Sequence, residues 1–351
     1  MKEYRCDILV IGAGPAGSSA ALSASSRGLN LLLIDGKQFV GKPVRCAEYI
    51  PKQLLGELDI KKDFIVQPVS RMKTFMPGGD VIEGAFPGYI INREKFDQAL
   101  LKRAKEADAE VWTGCRALFR NGDYVTVRKN GDLIKINAKI VIGADGPRSK
   151  VAKWIGFTNR NLIPAIQASV SLASPVNDTE IYFNKNFYGG YGWLFPKGDK
   201  GNLGLGMKSN PEYPAIRENL NRFIKMLQDS GRIKDDPESL TAGWIPAEAP
   251  GKITAGNIIL AGDAAGQTHP ITGAGIARAV IGGSMAGKWA ARAVIKGNID
   301  LISKYEDEWN DLYGESQERA FRKRELLERS WSDLDNVIKK CWVAFKEYYK
   351  D

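Results

Sequence analysis

The segment CDILVIGAGPAGSSAALSASSRGLNLLLID, from Cys6 to Asp35, constrains the fold more than any other part of the chain. Ile8 to Ile11 form an unbroken apolar run, the mark of a parallel strand buried on both faces. Gly12, Gly14 and Gly17 complete GxGxxG directly after it, with Pro15 and Ala16 between them, and small residues follow that let a helix lie close to a sheet. A second apolar strand ends at Asp35, where a carboxylate can accept hydrogen bonds from a ribose. A glycine turn inside a complete strand-helix-strand unit that closes on an acid predicts a bound dinucleotide, its pyrophosphate on the free N–H groups at the helix N-terminus.

The 351 residues suffice for two or three domains sharing a large core, and 44% hydrophobic with 26% charged residues is the balance of a folded globular chain. No apolar run is long enough to span a bilayer, and MKEYRCDILVIG enters a strand without a signal-peptide layout, so a cytoplasmic protein is expected. Cys6, Cys46, Cys115 and Cys341 lie far apart, which suggests neither a disulfide framework nor a metal ribbon, and His269 is the single histidine. No metal is expected. The net charge of +9 favours an anionic partner, a lipid surface or an acidic electron carrier. Nucleic acid would rest on charge alone and is not expected.

Two later segments extend the nucleotide end. IVIGADGPRSKV, Ile140 to Val151, is an apolar strand ending in Gly-Ala-Asp-Gly, and NIILAGDAAGQTHPITGAGIARAV, Asn257 to Val280, is another ending in Gly-Asp before a glycine-rich turn and a long helix. With these three segments in order, the chain resembles the FAD-dependent aromatic hydroxylase superfamily over roughly Met1 to Gly297. The resemblance implies FAD as cofactor, with Asp145, Gly262 and Asp263 at the site and Asp263 near the ribityl chain. It implies that the turn through Gly273 and Gly275 aims the helix starting near Ile276 at the flavin pyrimidine. That positive helix end would stabilise the charge of reduced flavin. Arg45 and Arg93 become phosphate or ribityl contacts by the same resemblance.

Between these motifs, two Asn-Gly turns separate alternating runs from Ala117 to Gly146, the signal of an antiparallel meander. IQASVSL, TEIYFN, YGWLFP and GNLGLGM are four further short strands. The expected fold is α/β: a discontinuous Rossmann-like FAD domain (1–65, 90–160 and 245–296), an antiparallel-sheet substrate domain (66–89 and 161–244), and a C-terminal helical segment (297–351). No second nucleotide unit of comparable quality exists, so reducing electrons must come from an external donor, with ferredoxin, a deazaflavin and NAD(P)H all open.

YGGYGWLFPKGD, Tyr188 to Asp199, is dense in aromatics and glycines. On a strand Tyr191, Trp193 and Phe195 share one face, and Pro196 is expected to stop the ladder. YGWLFP is similar to the YxWxFP motif of geranylgeranyl reductases, a branch of this superfamily in which the motif lines the prenyl pocket. KPVRCAEYI, Lys42 to Ile50, resembles the family's PxxCGE loop over the flavin, with Ala47 in place of its glycine, where a positive φ is harder to reach. The resemblance implies an isoprenoid lipid substrate held by Tyr191, Trp193, Phe195 and Pro196, and double-bond reduction by hydride from FAD. Cys46 would lie near the ring and beside the alkene, with Tyr191 and Trp193 as the other catalytic candidates. The rivals are a flavin monooxygenase or halogenase, whose WxWxIP signature differs at Tyr191 and Phe195, and a flavoprotein passing electrons to a quinone.

From Leu327 the apolar positions Trp331, Leu334, Ile338, Cys341, Trp342, Phe345, Tyr348 and Tyr349 approach a helical repeat. They predict a helix docked on the catalytic domain or a second copy, or else one resting on a bilayer as a peripheral contact.

Overall fold

The computed structural model describes residues 2–25, 28–234, 236–249 and 251–350. The first sheet contains β1 (Lys2–Ile11), β2 (Leu31–Ile34), β6 (Glu110–Trp112), β7 (Cys115–Asn121), β8 (Tyr124–Lys129), β9 (Asp132–Gly143), β15 (Thr254–Ala255) and β16 (Ile258–Leu260). Its centre, in the order β16, β9, β1, β2, β6, is parallel throughout. Ile8, Leu9, Val10, Leu32, Leu33 and Ile34 are buried completely there. Burial on both faces accounts for the lack of polar alternation in the sequence, each such side chain contributing about 1.5–3 kcal/mol. The antiparallel meander β7-β8-β9 turns at Gly122 and Gly131 as the Asn-Gly pairs predict.

The second sheet runs β14 (Ser239–Pro246), β10 (Leu162–Ser171), β13 (Lys200–Gly206), β12 (Tyr191–Lys197), β11 (Thr179–Tyr182), β4 (Ile65–Phe75), β5 (Val81–Ile91), β3 (Tyr49–Pro51). It is antiparallel except where β11 meets β4. Residues 49–51, grouped by sequence with the first domain, pair with β5 here, because the chain around Cys46 crosses from one sheet to the other. Pro196 does not stop the ladder. Its partner is Gly201, and β12 continues to Lys197. The proline falls past the last β12 residue paired with β11, so no bond to that neighbour is lost.

Among the described residues there are eight α-helices: α1 (Pro15–Ala24), α2 (Arg93–Glu106), α3 (Lys150–Trp154), α4 (Ile216–Asp229), α5 (Ile276–Lys296), α6 (Ser303–Trp309), α7 (Glu315–Arg329) and α8 (Leu334–Cys341). α1 and α5 cross at backbone distance. A Cβ at Gly283 or Gly287 would stand 2.1 Å from the carbonyl oxygen of Ala16 or Ala20. The expected C-terminal helix is broken. α7 ends at Arg329, a short turn spans Trp331–Asp333, α8 follows, and a last turn covers Lys346–Tyr349. Trp331, Leu334, Ile338, Cys341, Trp342 and Tyr348 are buried in one cluster with Trp193, Ile181 and Met72 of the second sheet. The stripe therefore docks within its own chain, and those aromatics are not free to rest on a bilayer. No helix among the described residues is long and apolar enough to cross a membrane.

Candidate active site

The nucleotide end is built from backbone. Gly12 has φ of 105°, and a side chain there would press on the Ala144 carbonyl. A Cβ at Gly17 would lie 1.7 Å from the Gly12 oxygen, so α1 can leave β1 this sharply only with glycine at that position. Asp35 accepts hydrogen bonds from the N–H groups of Ala13 and Lys37, both at 2.7 Å, which fixes its carboxylate against the turn and leaves lone pairs for hydroxyls. α1 starts at Pro15 with no side-chain cap and no acid in its first turn, and Gly14 borders open space.

The second helix terminus is brought alongside. The Gly262 turn rests on Ala16, and Thr268 donates to Asp263 at 2.7 Å. Burial pushes the Asp263 carboxyl up, opposed by the Thr268 hydroxyl and the Arg93 charge. Gly273 has φ of 64°, and α5 begins at Ile276 after Gly275, again uncapped and without acid in its first turn. Two free helix N-termini beside Asp35 and Asp263 suit a dinucleotide with a ribose at one end and a group that becomes anionic at the other. These residues fit FAD. Asp145 is occupied differently from Asp263: it accepts from the Lys150 N–H at 2.7 Å and from Ser149, holding the start of α3.

His269 is structural. Its Nδ1 accepts from the Thr272 N–H at 3.2 Å, its Nε2 meets the Tyr348 hydroxyl at 3.2 Å, and burial lowers it to about 3, so it stays neutral.

Across from this turn lies the Cys46 loop. The positive φ falls on Glu48, at 69°, and not on Ala47, so the missing glycine costs no strain where it was expected. The conformation is held by the Glu48 carboxylate, buried and accepting from Arg93 N–H (2.7 Å), Asn202 Nδ2 (2.8 Å) and Lys197 Nζ (2.5 Å). Cys46 Sγ accepts from the Glu48 N–H at 3.2 Å. Burial raises the thiol above its ordinary value, more than Arg93 lowers it, so it remains S–H at neutral pH. Arg93 pairs with Asp97 at 2.8 Å, which outweighs burial and keeps the guanidinium charged. Arg45 is exposed, its side chain beside Gly243 of β14.

The aromatic face stands as the alternation predicts. Tyr191, Trp193 and Phe195 pack on the side of the C-terminal helices, while Leu194 joins the opposite cluster under α4. Trp193 fills the space over Gly204, where a Cβ would lie 2.1 Å from the ring, and its Nε1 donates to Gln167 at 3.3 Å. Tyr191 donates its hydroxyl to the Thr272 carbonyl at 2.5 Å, joining the wall to the turn before α5. Phe195 meets Tyr49 edge-on at 6.3 Å between ring centres, and Ala47 packs on the same cluster. A cavity of about 340 Å³ adjoins the wall, lined by Val44, Glu48, Gln167, Lys197, Asn202 and Thr241 among others. The wall thus stands between the Cys46 loop and the α5 turn; Pro196, expected beside these aromatics, instead faces the opposite side with Leu194, because alternate residues of β12 point to opposite faces.

Several contributors carry no motif. Asn159 donates at 2.9 Å to both the Pro147 and Asp263 carbonyls, tying the two Gly-Asp segments together. Asn202, Lys197, Gln317 and Arg324 act over long sequence separations, and nothing local marks Gln317 or Arg324, which sit among other charged and polar residues.

Fold and site define an FAD-dependent oxidoreductase of the aromatic-hydroxylase type. Residues 88–314 match the model of the FAD binding domain family, and residues 7–168 that of lycopene cyclase protein. The chain is 35% identical to digeranylgeranylglycerophospholipid reductase of Methanothrix thermoacetophila over 95% of its own length and 90% of that protein's. A geranylgeranyl bacteriochlorophyll reductase-like structure from Thermoplasma acidophilum superposes with TM-score 0.88 at 30% identity, covering 98% of this chain and 93% of the other. A flavin-dependent halogenase shares the fold alone, at TM-score 0.74 and 17% identity over 99% and 71% of the two chains. The protein belongs to the geranylgeranyl reductase family and is an FAD-dependent reductase.

Proposed function

We propose that the protein saturates carbon-carbon double bonds in the geranylgeranyl or other polyprenyl chains of an isoprenoid lipid. The observation that carries the reading is the wall of Tyr191, Trp193 and Phe195, bonded through Thr272 to the turn that precedes α5. When bound and reduced, FAD supplies a hydride to one alkene carbon, and a proton must reach the other.

An unactivated alkene offers no oxygen to polarise, so the chain's own work is alignment, exclusion of water and stabilisation of transient positive charge. Aromatic faces serve all three. Tyr191 and Trp193 sit at the end of the wall nearest the α5 turn and hold the reacting bond, while Phe195 carries the chain onward; Pro196 turns to the opposite face with Leu194 and has no part in the wall. The proton is assigned to Cys46, which stays a thiol and whose side chain packs with Ile276 and Val280 at the start of α5. Gln167, Ser169, Asn202, Ser239 and Thr241 in the adjoining cavity suit the oxygen-bearing end of such a lipid.

The remaining cofactor contacts are assigned by the same reading. Gly12, Gly14, Pro15, Ala16 and Gly17 carry the pyrophosphate, Asp35 the ribose, and Asp263 with Arg93 the ribityl region. Gly262, Gly273, Gly275 and Ile276 shape the flavin end. Asp145 supports it through α3, and Arg45, exposed beside β14, would have to turn inward to meet a phosphate. Residues 1–65, 90–160 and 245–296, apart from the 49–51 stretch that joins the second sheet, form the FAD domain, with the second sheet as the substrate domain. Electrons come from an external donor, and lipid is met at a membrane surface from the cytoplasmic side.

Incubation of reduced protein with a digeranylgeranyl glycerophospholipid, followed by mass spectrometry, tests the reading. Gain of two hydrogens per double bond is the expected product. Oxygenated or halogenated product formed only in air would replace the reading with the monooxygenase branch.

A further inference from the structure

One buried residue of α7 bridges the turn before β12 and the turn before α5. Arg324, in α7, is 3% exposed. Its Nη2 donates to the Gly189 carbonyl in the turn just before β12, its Nη1 lies 3.5 Å from the Pro270 carbonyl in the turn before α5, and its Nε donates to Glu328 at 2.8 Å. Glu328 in turn takes Lys208 at 2.7 Å, and the Lys208 N–H donates to the Tyr188 carbonyl at 2.9 Å. One planar fork therefore grips two segments far apart in sequence, a geometry that guanidinium offers and ammonium does not.

The contacts close a ring. From Arg324 the path runs to Gly189, along the chain to Tyr191, through its hydroxyl to Thr272, back along the turn to Pro270, and to Arg324 again. Gln317, two turns earlier on α7, adds bonds to the carbonyls of Thr268 (2.9 Å) and Gly266 (3.3 Å). The ring leaves little freedom between the aromatic wall and the N-terminus of α5. A buried cation with its donors spent on main-chain carbonyls and one carboxylate is a costly device for filling space, but an effective one for fixing register.

We propose that Arg324 is a positioning residue: it sets the separation between Tyr191 and the Thr272–Gly275 turn, and through it the height of a bound polyprenyl chain over the flavin. The second clause rests on the function proposed above, and the first does not.

The experiment uses the FAD-loaded full-length protein with R324L, R324K, Y191F and the R324L/Y191F double variant. Hydrogen exchange reads the ring without turnover. R324L should speed exchange at Gly190 and at Gly273 together, leaving β1 and α1 unchanged, and R324K, able to reach one carbonyl at a time, should fall between. In single turnover with a geranylgeranyl lipid, R324L should slow the reductive step by about 10–100-fold while lipid affinity changes less than about 3-fold. The double variant should be no slower than the slower single one, since both break the same ring. Faster exchange in one turn only, additive rate effects, or failure of both R324L and R324K to fold would overturn the proposal. If the wild type reduces no polyene but exchange rises in both turns, the positioning role stands and the substrate reading falls.

Discussion

The nucleotide end and the aromatic wall solve the same problem, holding a large ligand against a helix N-terminus, in opposite ways. At Gly12 to Gly17 the ligand is approached by bare backbone, and the design consists of missing side chains. At Tyr191 to Phe195 the surface is made of side chains, whose positions depend on Gln167, Thr272, Trp342 and α7, all remote in sequence. A backbone site tolerates no added atom. A side-chain site degrades by degrees.

That contrast orders the expected effects. Gly17→Ala should be the most severe, since a methyl group cannot fit 1.7 Å from a carbonyl oxygen. A loss of at least about 4 kcal/mol is expected, read as protein that purifies without flavin absorbance. Retention of stoichiometric FAD would break the distinction. Trp193→Ala leaves a hole over Gly204 and should cost about 3–5 kcal/mol in urea unfolding while FAD remains bound. Loss of FAD in step with stability would show that the halves are not separately built.

His269 sharpens the comparison through pH. Its folded value, about 3, lies below the ordinary 6.5, so the unfolded chain binds a proton that the fold refuses. Its contribution is full above pH 6.5 and is lost as pH falls toward 3. Between pH 6.5 and 5 the wild type should lose about 1.6 kcal/mol more than His269→Gln, a difference measurable by urea titration at the two pH values. Equal slopes would mean the imidazole is not enclosed as described. Smallest is Tyr191→Phe, which deletes the hydroxyl bond to Thr272 and should cost about 1 kcal/mol of stability. A larger loss, with FAD released, would make the wall part of the cofactor site.

Legibility followed the same division. The GxGxxG unit, the Gly-Asp turns and the strand alternation of β12 could be read because each depends on residues close in sequence. Pro196 was misjudged because its tolerance depends on where the neighbouring strand β11 ends, a fact outside the local pattern. The residues from Leu327 onward have the spacing of one helix, yet packing against Trp193 and Met72 bends them through two short turns. Glu48 illustrates the limit most sharply. Its positive φ is imposed by donors at Arg93, Lys197 and Asn202, and no local residue signals it.

The most direct test of the central claim is an anaerobic single turnover. Protein reduced with dithionite and freed of it is mixed with a geranylgeranylated lipid in detergent, and flavin absorbance and product mass are followed together. Reoxidation of the flavin without oxygen, matched by addition of two hydrogens to an alkene, is the predicted result. A flavin that stays reduced with every polyene and reoxidises only when air is admitted would contradict it.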